Sequence, residues 1–259
     1  MAQLRAPGDL HRTFSIIGQN WRMKTILRIP AIVAGLALAV ASGSALAAQP
    51  RPFTAHYQVL SGDQLIGDAT IKLAAVGNGE YAYTTQTKGT GGVAAMLAAS
   101  SDETTRFRWH NDMPETLSYD YTMQTAFKSK KRHMSVDPTS AKVSVDEGKG
   151  PVSYAGVAGM ADRNSLPLAI GLALVAGKQA VTVPVGVRQG VEQQQYKVTG
   201  SESVKVPAGT FTAEKVARSD DGSKRFDAWY VPRKFPVPVK LTQADGGNLT
   251  LQLVSFNAI

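Results

Sequence analysis

The side chains of this chain best suited to acid–base chemistry are Asp120, His110 and His133. A carboxylate and an imidazole in one cleft could activate water for hydrolysis. Here they stand on separate segments with no pattern that makes them converge. His56, His110 and His133 are far apart, and no HxH or HExxH spacing marks a zinc site. Neither the GxSxG of a nucleophile elbow nor an SxxK occurs. Gly89-Thr90-Gly91-Gly92 lacks the last glycine of a dinucleotide loop, with Ala94 in its place, and no strand–helix–strand pattern surrounds it. With no cysteine, the chain has no thiol nucleophile, thiolate metal site, disulfide or lipidated N-terminal cysteine. The expectation is a protein with no catalytic residues, no metal and no cofactor.

Two other groups suit binding. Lys128-Ser129-Lys130-Lys131-Arg132-His133 is the one concentrated basic run. On a strand, Lys128, Lys130 and Arg132 share one face, and Lys131 and His133 the other. Such charge guards a sheet edge against aggregation. It also suits an anion-contacting rim of Lys128, Lys130, Lys131 and Arg132 for lipid head groups or acidic polymers. The aromatics Trp109, Tyr119, Tyr121, Trp229 and Tyr230 are candidate ligand-binding residues lining a cavity, with plain core packing as the alternative.

The elements that must position these groups read as strands. Apolar residues alternate with polar ones at Phe53, Ala55, Tyr57 and Val59, at Ala69, Ile71 and Leu73, at Leu117, Tyr119, Tyr121 and Met123, and at Val181, Val183 and Val185. Pro184 makes a central place for the last of these strands unfavourable. Turn signals such as Gly77-Asn78-Gly79, Asp220-Asp221-Gly222 and Asp245-Gly246-Gly247 separate the runs. Ala94–Ala99 reads as a short helical turn. Asn164–Ala176 reads as a real helix, capped by Asn164 or Ser165, with Pro167 in its first turn and Gly177 after its end. The predicted fold is mostly β: a single antiparallel β-barrel or strongly curved β-sheet of about ten to twelve strands, with one α-helix packing across or capping it.

The first residues read as an export signal. Ile29–Val40 is apolar, Arg22, Lys24 and Arg28 precede it, and Ala45-Leu46-Ala47 offers a small-residue cleavage site. The apolar run is shorter than the ~20 residues a spanning helix needs. Residues 1–47 are expected to be an N-terminal extension plus a cleaved signal peptide, with Met23 as the true start and cleavage near Ala47. Residues 48–259 then form one β-rich domain, exported to the periplasm without a transmembrane anchor. Removing residues 1–47 takes the net charge from +8 to +4, an ordinary surface that does not favour nucleic acid.

Five segments resemble the domain of unknown function 3108 family of exported bacterial proteins: Phe53-Thr54-Ala55-His56-Tyr57 followed by Ile66-Gly67, Met113-Pro114-Glu115 before Tyr119–Tyr121, Asp162-Arg163-Asn164-Ser165-Leu166, Val206-Pro207-Ala208-Gly209-Thr210-Phe211, and Trp229-Tyr230-Val231-Pro232 before Pro236–Lys240. The resemblance implies a periplasmic, mostly β protein and carries over no catalytic residues. The leading functional expectation is a non-catalytic envelope protein binding an apolar or amphipathic ligand, such as a lipid, in a barrel-like cavity. The alternatives are an assembly protein docking an envelope partner through a sheet edge and a hydrolase acting on envelope polymers.

Overall fold

The computed structural model describes residues 51–221, 225–243 and 248–259. The export signal within residues 1–50, and the turns at Gly222 and at Asp245-Gly246-Gly247, fall outside the described residues.

Among the described residues the chain forms fourteen strands in a single sheet, with two helices. In order these are β1 (Phe53–Ser61), β2 (Gln64–Gly77), β3 (Glu80–Gly89), α1 (Gly92–Met96), β4 (Ser100–His110), β5 (Met113–Gln124), β6 (Ser129–Val136), β7 (Lys142–Asp146), β8 (Val152–Ala155), α2 (Leu166–Val175), β9 (Ala180–Val187), β10 (Gly190–Val206), β11 (Gly209–Arg218), β12 (Phe226–Tyr230), β13 (Lys240–Gln243) and β14 (Leu249–Ala258). The sheet is antiparallel and its spatial order is β8-β7-β6-β5-β4-β3-β2-β1-β14-β13-β12-β11-β10-β9. Every neighbour pair is a sequential hairpin except β1 with β14, which joins the two halves of the chain.

The expected mostly β architecture with a strongly curved sheet and a packed helix is the one observed. The strand count is higher than expected because a strand as short as β8 carries too few residues to show a clear alternation. Conversely, Gly200 does not interrupt the chain: β10 runs through it as one strand, with a register shift between Val198 and Gly200. Similar shifts occur at His56/Tyr57 and Val59/Leu60 of β1, at Ala75/Gly77 of β2 and at Arg106/Phe107 of β4. Each extra residue bends and twists its strand. The shift opposite Arg106 and Phe107 also changes the phase of β5. Thr116 and Tyr119 are both buried, whereas Leu117, expected in the inward row, is the unpaired residue between them. In β1 the expected row of Phe53, Ala55, Tyr57 and Val59 is buried throughout.

The sheet ends, β8 and β9, are linked by the segment that contains α2. They do not pair as strands, but three interactions span the gap. The Tyr154 hydroxyl of β8 donates to the Val187 carbonyl at 2.6 Å. Glu147, after β7, holds Arg132 of β6 and Arg188 just after β9. Ala161 forms a parallel bridge with β9, donating to the Pro184 carbonyl and accepting from the Gly186 N–H. Pro184 lacks an N–H, so it suits a terminal strand whose outer edge offers carbonyls.

Helix α2 lies inside this curve, with Leu166 to Leu174 buried on all faces. Leu168 and Leu172 belong to a core cluster that draws on β1–β4 and also on β10, β11, β12 and β14, and Ala169, Ile170 and Leu174 belong to one built on β9–β13. The helix therefore joins two lobes of one core. Its C-terminus closes through Lys178 N–H to Ala173 C=O and Gly177 N–H to Leu174 C=O, with Gly177 at φ +80°. Gly171 is the point of closest approach: a Cβ there would lie 2.0 Å from the Pro236 carbonyl oxygen and 3.2 Å from the Tyr230 ring. In an ordinary helix Gly→Ala stabilises by up to ~1 kcal/mol. Here the clash reverses the sign, and Gly171→Ala is expected to cost ~1–3 kcal/mol in urea unfolding. A gain in stability would contradict the threading of α2 past Pro236.

Candidate functional site

The site begins with the residues that fix α2. Asp162 is fully buried and precedes the helix. Its Oδ1 accepts from the backbone N–H groups of Asn164 at 2.8 Å and Ser165 at 3.1 Å, and from the Thr105 hydroxyl at 2.9 Å. Its Oδ2 accepts from the hydroxyls of Thr116 at 2.8 Å and Ser165 at 3.2 Å. Ser165 holds the N-cap position, one of the two expected, but its side chain makes no capping bond; the Asp162 carboxylate takes the N–H groups of Asn164 and Ser165 instead, and the Asn164 side chain is used elsewhere. The Asn164 amide donates to the Tyr83 carbonyl and to Thr105 Oγ1, and its Oδ1 accepts from Thr85 at 2.7 Å. Two consecutive turns of polar chain therefore tie the helix N-terminus to β3, β4 and β5.

Above this anchor the helix and the concave face of the sheet do not meet. A cleft of about 460 Å³ remains, within the range of small-molecule sites. Its apolar walls include Val59, Ile66, Ile71, Met123, Leu249 and Leu251, drawn from β1, β2, β5 and β14. Tyr57, Tyr83, Asn164 and Pro167 also line it, and Ala94, Ala99 and Ser100 border it beside the α1 loop. Lys130 lines the same cleft and is paired in register with Met123 across β5 and β6. Arg163 completes the set: its guanidinium lies 3.5 Å from Glu103 and 5.6 Å over the Tyr121 ring.

A second, smaller cleft of about 270 Å³ lies at the β8/β9 gap, with Arg132, Arg163, Arg218 and Arg225 among its lining residues. Each of these arginines faces a carboxylate: Arg132 with Glu147, Arg163 with Glu103, Arg218 with Asp220 and Arg225 with Asp227.

The expected aromatic set is not brought together. Tyr121 lines the larger cleft and Tyr119 the smaller one. The Tyr119 hydroxyl donates to Glu103 at 2.6 Å, and burial pushes its pKa up. Tyr230 is fully buried and its hydroxyl bonds the Pro167 carbonyl, so it braces α2. Trp229 donates to Glu202 and lies beneath Lys215 and Lys240. Trp109 packs edge-on against Phe107 and tilted against Tyr81, and its buried indole N–H has no acceptor among the described residues.

The expected basic rim divides between faces. Lys130 and Arg132 line clefts on the concave side, with Arg132 already paired to Glu147, while Lys131 and His133 take the alternate face and Lys128 sits in the β5–β6 turn. The acid–base candidates do not converge either. Asp120 and His133 are exposed cross-strand partners at 2.7 Å, while His110 lies at the far end of β4 beside Glu115. Among the described residues no cluster of three or more acidic or histidine side chains could hold a metal.

The anchor and the lining residues Val59, Ile66, Met123, Leu249 and Leu251 escaped the sequence reading as a site. Strands distant in sequence supply them, so no spacing ties them together. The one available signal was the polar quartet Asp162–Ser165 placed directly before an all-apolar helix.

The sequence profile described as "Protein of unknown function (DUF3108)" matches residues 52–254. No curated protein matches the chain in sequence. Among solved structures, a beta-barrel-like protein of domain of unknown function DUF1849 from Brucella abortus is similar at 12% identity and a TM-score of 0.49, covering 82% of this chain and 99% of that one. A protein with a YmcC-like fold from Bacteroides fragilis is similar at 8% identity and a TM-score of 0.28, covering 80% of this chain and 94% of that one.

The anchor has a pH signature. Burial pushes the Asp162 carboxyl above its ordinary 3.8, against the opposing pull of the Thr116, Ser165, Thr105 and Asn164 donors. A raised folded-state value means the folded chain holds this proton more tightly than the unfolded chain. Its stabilisation is complete below the unfolded pKa of ~3.9 and is lost as pH rises through the folded value. Relative to Asp162→Asn, which stays neutral, the native chain is therefore expected to gain stability as pH falls from neutral towards ~4. Denaturant midpoints of both proteins across that range measure this. The opposite slope would show a carboxylate stabilised by its donors.

Proposed function

The chain belongs to the DUF3108 family, and we propose that it is an exported, non-catalytic envelope protein of the periplasm that holds an apolar or amphipathic ligand in the cleft beside α2. The observation that carries this reading is the cleft of about 460 Å³, bounded by apolar side chains and edged by Lys130 and Arg163. An apolar tail placed there would displace water from the half-buried Ile66, Met123, Leu249 and Leu251, at ~25 cal/mol per Å² of apolar surface covered. A polar or anionic head would lie towards Lys130, with Arg163 already committed in part to Glu103.

Export is supported by the basic, apolar and small-residue segments of Arg22–Ala48. Among the described residues no helix is long and apolar enough to cross a membrane. The non-catalytic reading is supported by the separation of His110 from the Asp120–His133 pair, which stands exposed on the outer face. Edge docking is the weaker reading, because the outer edge of β9 is already taken by Ala161.

The direct experiment is titration of delipidated protein with anilinonaphthalene sulfonate, an anionic amphipathic fluorophore. Met123→Trp fills the cleft from a half-buried position, so binding is expected to weaken by roughly tenfold, about 1.4 kcal/mol, with the unfolding midpoint preserved. Lys130→Glu is expected to weaken it by a smaller factor. Equal affinity in all three proteins would overturn the cleft as the binding site.

A further inference from the structure

The exposed apolar side chains of the described residues are not scattered evenly. Phe127 and Met96 are the most exposed large ones, at 88% and 84%. They sit on two different loops, the β5–β6 turn and the end of α1. A hydrogen bond from the Ala126 N–H to the Leu97 carbonyl, at 2.8 Å, holds these loops together. Val93, 68% exposed, lies one helical turn from Met96. Leu65 of β2 joins them: the N–H groups of Thr90 and Gly91 both donate to the Ile66 carbonyl, and Gly91 packs against the Leu65 backbone. Two loops and the start of β2 thus bring four exposed apolar side chains to one end of the molecule.

These side chains are held out, not loosely draped. Thr125 closes the β5–β6 turn, accepting from the Lys128 N–H at 3.0 Å while its own N–H donates to the Lys128 carbonyl at 2.8 Å. Phe127 is left standing at the apex. Lys128 follows it, and Lys130 and Lys131 stand just below; no ion pair involves any of the three among the described residues. The nearby acids Asp68 and Asp102 accept hydrogen bonds from Thr90 and Gln86. Apolar side chains in solvent with unpaired lysines behind them match an anionic bilayer, whose acyl region takes the former and whose head groups take the latter.

We propose that this end is a docking surface for an anionic lipid bilayer, with Phe127, Met96 and Val93 entering the interface and Lys128 and Lys131 contacting the head groups. The same loops border the cleft through Ala94, Ala99 and Lys130. Docking there sets the cleft mouth against the membrane. The surface itself does not depend on the cleft being a ligand site.

Flotation with vesicles tests this. The protein is expected to float with vesicles of mixed phosphatidylglycerol and phosphatidylcholine, and at least tenfold less with phosphatidylcholine alone. Phe127→Asp is expected to abolish flotation. The double variant Lys128→Gln, Lys131→Gln is expected to weaken it by roughly fivefold per lysine. Both variants should bind anilinonaphthalene sulfonate as the native chain does, which separates failure of docking from failure of the cleft. Absence of native flotation on anionic vesicles would overturn the proposal. So would undiminished flotation of Phe127→Asp, which would mark a contact of charge alone, as with an acidic polymer.

Discussion

The rest of the structure depends on one constraint: α2 is apolar on every face and must be enclosed. Leu166 to Leu174 are all buried, so no side of this helix can face water. A flat sheet would cover one side only. The fourteen strands instead curve around it, and the helix supplies core to both halves of the sheet. Asp162 and Asn164 give that enclosure a fixed position, because the buried carboxylate and amide complete their hydrogen bonds only with β3, β4 and β5 in place. Misplacing the helix would leave those groups buried and unsatisfied, at a cost of ~1–3 kcal/mol each.

Curvature follows from the register shifts. Each one puts an extra residue into a strand of β2, β5, β10 or β14, and bulged strands bend more strongly than regular ones. The sheet stops short of pairing β8 with β9 because the chain between them passes through the interior. Tyr154, Glu147 and Ala161 span that gap with side-chain and single-bridge contacts. The cleft is a consequence of the same geometry. The anchor ends the helix below the loop end of the curve, and the concave face above it has nothing to pack against.

Much of this fold was legible from residue order. Period-two rows such as Phe53, Ala55, Tyr57 and Val59 are inward because strand side chains alternate, and the helix between Ser165 and Gly177 carried both its stop signal and its apolar length. Leu117 misleads because a bulge changes the phase of β5, which no alternation rule can show. The site was less legible. Tyr121 and Lys130 stood out by type, but what makes them neighbours is the β5–β6 register and the curve that faces them towards Leu249 and Leu251. Trp229 and Tyr230 stood out equally and turn out to brace the core, since an aromatic with a satisfied polar tip serves packing as well as binding. Phe127 attracted no notice in sequence, because a single apolar residue in a turn acquires meaning only when Met96 and Val93 stand beside it.

The most direct measurement of the central claim is native mass spectrometry of the protein purified gently from an envelope fraction, before and after solvent extraction. The enclosed helix and unfilled concave face predict one additional mass per chain, of an amphipathic molecule, that extraction removes and that Met123→Trp protein lacks. A mass equal to the bare chain in both preparations would contradict a ligand-holding cleft.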